Sequence, residues 1–132
     1  MGMFLSQVEL TILTDHTGKA LKTKENKQLY RAAHDITFMS ETVGCIVVPK
    51  GFITDLASVP RLPFIYAIFG DSFQMAAIIH DYLYSAKSGS KITRKEADAV
   101  LVEACDAIGE SWWRSRGSWL AVRAFGWLSY SE

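Results

Sequence analysis

Apolar and polar positions change their rhythm twice along the chain. From Phe4 to Leu13 they partly alternate, in a stretch rich in apolar and β-branched residues that meets the turn signal Asp15-His16-Thr17-Gly18. A hairpin is expected there. Scattered charge follows from Lys19 to Arg31, with Leu21, Leu29 and Tyr30 among it, and then come Ile36-Thr37-Phe38 and Cys45-Ile46-Val47-Val48, the latter closed by Pro49. These runs read as several short antiparallel strands. After Gly51 the rhythm is lost in a loop containing Pro60, Pro63, Phe64 and Tyr66. Helical spacing takes over beyond it.

Three helices are predicted. In the first, Ala76, Ala77, His80 and Tyr84 share a face with Phe73, while Met75, Ile78, Ile79 and Leu83 fill much of the remainder. That is the pattern of a helix buried nearly all round. Asp71 with Gln74 resembles a capping box at its start, and Ser88-Gly89-Ser90 ends it. Thr93 with Glu96 opens the second helix, whose stripe Ala97, Val100, Leu101, Ala104, Cys105 and Ile108 stops at Gly109. The short connection predicts that these two lie antiparallel. The third, Trp112 to Tyr130, is aromatic and amphipathic, with Arg114, Arg116 and Arg123 between its apolar positions, and is expected to cover the core. The chain therefore reads as one α+β domain over 1–132: residues 1–50 mainly short β-strands, 51–70 loop, and 71–132 three helices, two of which form an antiparallel pair carrying the polar site.

Composition narrows the function. Fourteen basic and fourteen acidic side chains give zero formal charge, which leaves no basic footprint for nucleic acid. Cys45 falls in an expected strand and Cys105 in a helix stripe, so both read as buried thiols in a reducing compartment and not as a disulfide framework. Met1 to Leu13 is short and interrupted by Ser6, Gln7 and Glu9, and no later run is long and charge-free enough to span a bilayer. No signal peptide or transmembrane helix is expected.

The candidate chemistry sits where the pattern conflicts with itself. His80 and Asp81 place adjacent polar groups inside an apolar helix, and local rules are broken mostly where function requires it. A buried carboxylate needs a cation, several donors or an opening to solvent. Helix phasing brings Asp98, one turn into the second helix, within reach of His80. A purely structural reading fits the same residues: Asp55 caps a helix or turn, Arg94 pairs with Asp81 or Asp98, and His80 donates to a backbone carbonyl. Ser58 as a nucleophile lacks the glycines of a Gly-x-Ser-x-Gly elbow.

Two likenesses follow from these motifs. Gly51-Phe52-Ile53-Thr54-Asp55-Leu56-Ala57-Ser58-Val59-Pro60, then His80-Asp81-Tyr82-Leu83-Tyr84, then Arg94 with Ala97-Asp98, resembles a phage- and prophage-encoded family known only as a domain of unknown function, over about Ile46 to Gly126. His80, Asp81, Tyr84 and Asp98 also resemble the phospholipase A2 superfamily, with its His-Asp-x-x-Tyr helix, an Asp on the antiparallel partner, and a preceding calcium-binding loop.

The second likeness implies a hydrolase acting on phospholipid at a membrane surface, and with the first likeness a small phage-encoded one. In it His80 takes a proton from the attacking water, Asp98 fixes and stabilises the imidazole, and Tyr84 holds Asp98. Asp81 and Asp55, with Thr54 and Ser58 in support, would bind calcium. The chain departs from that superfamily in lacking a disulfide framework and in carrying Leu56 where a glycine would ease the turn of carbonyls toward a metal. The alternative is a non-catalytic virion protein, a tail or assembly component bound to other phage structural proteins, in which the same residues form a structural network. Either is expected in the bacterial host cytoplasm or the virion. Solvent access to the imidazole separates them: a cleft beside His80 favours the enzyme, and occlusion by the C-terminal segment favours the structural protein.

Overall fold

The computed structural model describes residues 2–24, 28–55, 73–85, 92–109, 116, 119–120 and 123–124. Six short strands form two antiparallel three-stranded sheets. They are β1 (Met3–Phe4), β2 (Leu10–Ile12), β3 (Tyr30–Ala32), β4 (Ile36–Ser40), β5 (Gly44–Val48) and β6 (Ile53–Thr54), ordered β1-β4-β5 in one sheet and β2-β3-β6 in the other. Two helices follow, α1 (Phe73–Tyr84) and α2 (Arg94–Ala107).

The first sheet obeys the period of two. Ile36, Phe38, Ile46 and Val48 point inward and are buried, while Met39, Cys45 and Val47 between them face outward. The register pairs Ile36 with Val48 and Phe38 with Ile46, so large side chains meet across the strands on the core side. This alternation corrects the reading of Cys45 as a buried thiol: inward Ile46 and Val48 force their neighbour out, and only Cys105 is buried.

Asp15 shapes the turn that follows β2 in the second sheet, accepting from the Thr17 and Lys19 backbone N–H groups at 2.8 and 3.1 Å. Gly18 takes φ 88° there, a left-handed conformation suited to glycine. β3 then pairs with β2 on one side and with β6 on the other, Tyr30 opposite Thr54. The expected 51–70 loop therefore begins with a strand, because the backbone of β3 offers a second edge.

Helix α2 forms for the reasons legible in its sequence. Thr93 accepts from the Glu96 N–H at 3.1 Å, Glu96 answers from its carboxylate to the Thr93 N–H at 3.0 Å, and Gly109 (φ 87°) follows the end. Ala97, Val100, Leu101, Ala104 and Cys105 are fully buried. Met75 of α1 lies beside Ala107 and Ile108, whereas Tyr84 bonds Asp98, so the pair is antiparallel.

The expected three-helix arrangement is overturned. Among the described residues the bounded helices are two, α1, which packs on β5, and α2, which packs on β1 and β4. The segment 112–130 lies mostly outside the described residues. Also outside them are the expected capping box at Asp71 and the stop at Ser88-Gly89-Ser90. Among the described residues no helix is long and apolar enough to cross a membrane.

Candidate functional site

Both helices contribute to one buried polar cluster. His80 and Tyr84, one turn apart on α1, share a face, with ring centroids 4.1 Å apart. Opposite them Asp98 projects from the first turns of α2. His80 Nε2 lies 2.8 Å from Asp98 Oδ1, and the Tyr84 hydroxyl donates to the same oxygen. The other oxygen, Oδ2, accepts from Arg123 Nη1 at 3.1 Å. Arg94, at the start of α2, donates to the Tyr84 hydroxyl and to the Arg123 backbone carbonyl, the latter at 3.2 Å. His80 and Asp98 are each 0% exposed.

Electrostatics assign the protonation states. Burial pushes the His80 pKa down, Asp98 pulls it back, and the Arg94 charge adds to the depression, leaving the imidazole below its ordinary value and neutral near pH 7. For Asp98, burial opposes ionisation, but the hydrogen bonds from His80 and Tyr84, the His80 interaction and the Arg123 bond outweigh it, and its pKa falls. Tyr84 is raised by burial and by donating to the carboxylate, so it stays a phenol. With Nε2 against a carboxylate, the neutral imidazole carries its proton there, and Nδ1 is the basic nitrogen.

Asp81 faces away from this cluster, as adjacent helix positions must. Its carboxylate accepts from the hydroxyl of Thr54 in β6. Tyr82 beside it meets Phe52 edge-on, with centroids 5.2 Å apart. The second sheet is thus tied to α1 one residue from His80. Asp55 is partly buried immediately after β6. Ser58 lies outside the described residues. Among the described residues no three His, Cys, Asp or Glu side chains are grouped to hold a metal ion.

His80, Tyr84, Asp98 and Arg94 therefore meet, while Asp81 and Thr54 form a separate pair. Sequence reading missed Arg123 as the cation on Asp98. Its signal was a positive charge at a position flanked by apolar Val122 and Ala124 in an aromatic stripe. It also missed Glu103, whose carboxylate accepts from the Ser40 hydroxyl at 2.5 Å and the Glu41 N–H at 2.7 Å, tying the β4–β5 turn to α2.

The fold and cluster define a small α+β protein with a buried His-Asp-Tyr network between two helices, joined at its edge by the partly exposed Arg123. The chain belongs to the DUF1353 family of proteins of unknown function, whose profile matches residues 30–122. Comparison with curated proteins and with solved structures gives no match.

Proposed function

We propose that this is a non-catalytic interaction or assembly protein, such as a virion tail or assembly component. In this reading His80, Tyr84, Asp98 and Arg123 specify how α1, α2 and the C-terminal segment dock. The observation that carries it is the complete burial of both His80 and Asp98. A general base must touch the water or hydroxyl whose proton it takes. A polar network with its donors and acceptors matched in a low-dielectric interior instead favours a single packing arrangement. Arg123 on Asp98 supports the same reading, because it joins a residue 25 positions away in sequence to the helix pair.

The test compares wild type, His80→Gln and Asp98→Asn by circular dichroism, thermal stability and fatty-acid release from mixed phospholipid vesicles, with and without calcium. The expected result is no release by the wild type and a clear stability loss in both variants. Release by the wild type that disappears in a folded His80→Gln would overturn it.

A second reading, the phospholipase A2-like hydrolase, is favoured by one observation: His80 Nε2 lies 2.8 Å from the Asp98 carboxylate, the contact that a His-Asp dyad needs. His80 Nδ1 would then accept the proton of a water attacking an ester carbonyl, Asp98 would stabilise the imidazolium, and Tyr84 would hold Asp98 in place. Calcium, if bound by Asp81 and Asp55, would polarise the ester. This chemistry requires a conformation in which the ring meets solvent.

A further inference from the structure

The two edges of the first sheet differ. β1 is two residues long, and a short edge offers little backbone for another chain to pair with. β5 is five residues long, and no other described strand pairs with its outer side. Natural sheets blunt such an edge with a lysine, a proline, an inward charge or a bulge. Gly44-Cys45-Ile46-Val47-Val48 has none of these within the strand, and its five residues pair with β4 in unbroken register. Its solvent side is also apolar where an antiparallel sheet is ordinarily polar, with Met39, Cys45 and Val47 exposed and Met3 opposite Met39.

We propose that β5 pairs antiparallel with β5 of a second copy of this chain, joining the two sheets into one of six strands about a two-fold axis. A second copy fits this edge better than an unrelated strand for reasons of charge and symmetry. β1, β4 and β5 contain no charged side chain, so no charge within the strands repels an identical surface. Antiparallel pairing of a strand with itself is self-complementary, as a two-fold interface requires. The register that uses all five residues sets Ile46 against its twin and Cys45 against Val47 of the other copy. The outward apolar side chains at the edge then lose water together. This association is independent of whether His80 is catalytic.

Sedimentation equilibrium of wild type and Val47→Lys tests it, since Val47 faces outward and a lysine there leaves the core intact. The wild type should sediment at twice the chain mass of 14.7 kDa, and Val47→Lys at that mass. A monomeric wild type at high micromolar concentration, a dimeric Val47→Lys, or species larger than a dimer would each overturn the proposal. A trapping experiment covers loss of folding in the lysine variant. Oxidised glutathione should convert Val47→Cys to a covalent dimer through Cys45 of the other copy, and should fail when Cys45→Ser is added. Equal trapping in both would place the contact elsewhere.

Discussion

Replacing Asp98 with asparagine keeps the shape of the side chain and removes the charge on which three donors converge. His80 and Tyr84 share Oδ1, and Arg123 takes Oδ2. The amide still accepts on one side, but on the other its NH2 faces a guanidinium that also only donates. Breaking a buried charge pair costs about 3–5 kcal/mol. The Arg123 side chain is 31% exposed and partly hydrated, which sets the expectation at the lower end, about 3 kcal/mol. For a domain of this size that is a fall in Tm of about 10 °C. Urea unfolding followed by tryptophan fluorescence, with an unchanged m value, measures it directly. A double-mutant cycle with Arg123→Met should show a coupling of about 1 kcal/mol or more, because the two side chains touch. A loss below about 1 kcal/mol for Asp98→Asn would refute the claim that this carboxylate organises the interior.

Acidification should destabilise the protein. The folded-state pKa of His80 is depressed, so below the ordinary histidine pKa of 6.5 the unfolded chain binds a proton that the folded one refuses. Stability present above that pH is then lost as pH falls toward the folded value, with a slope of at most about 1.4 kcal/mol per pH unit. Denaturant midpoints between neutral and mildly acidic pH should show this component in the wild type and not in His80→Gln. Asp98, also depressed, adds a further loss at lower pH, below the carboxylate range. Thr93→Ala removes the acceptor for the Glu96 N–H and should cost about 1 kcal/mol in the same unfolding assay, with no loss pointing to a frayed first turn. If Asp81 and Asp55 bind calcium, that ion and not magnesium should raise the Tm of the wild type but not of Asp81→Asn; equal shifts in both would place any metal elsewhere.

Local chemistry was legible in the sequence and long-range pairing was not. The Thr93 capping box, the stripe from Ala97 to Cys105 and the approach of His80 to Asp98 all follow from the 3.6-residue period and a short connection between helices. Their interactions span a few residues, or two neighbouring elements. The division of the strands into two sheets depends on which edge each short strand meets, and no two-residue strand such as Ile53–Thr54 carries enough pattern to declare it. The outward placement of Cys45 follows from register, which in a run as uniformly apolar as Cys45 to Val48 is set by Phe38 and Ile36 across the ladder. The third helix was expected from an aromatic period in a segment that lies mostly outside the described residues. Arg123 was visible as a cation in that stripe, but its partner lies in α2, and nothing local chooses among the arginines nearby.

The central claim is that the imidazole of His80 is sealed in the folded protein. Its rate of modification by diethylpyrocarbonate, resolved by peptide mass spectrometry, tests this without any mutation. His16 is exposed and His34 partly so, and they serve as internal references in the same molecule. The structural account predicts that both references react under native conditions while His80 stays unmodified until the chain is unfolded. Modification of native His80 at a rate comparable to His34 would contradict it and return the site to the hydrolase reading.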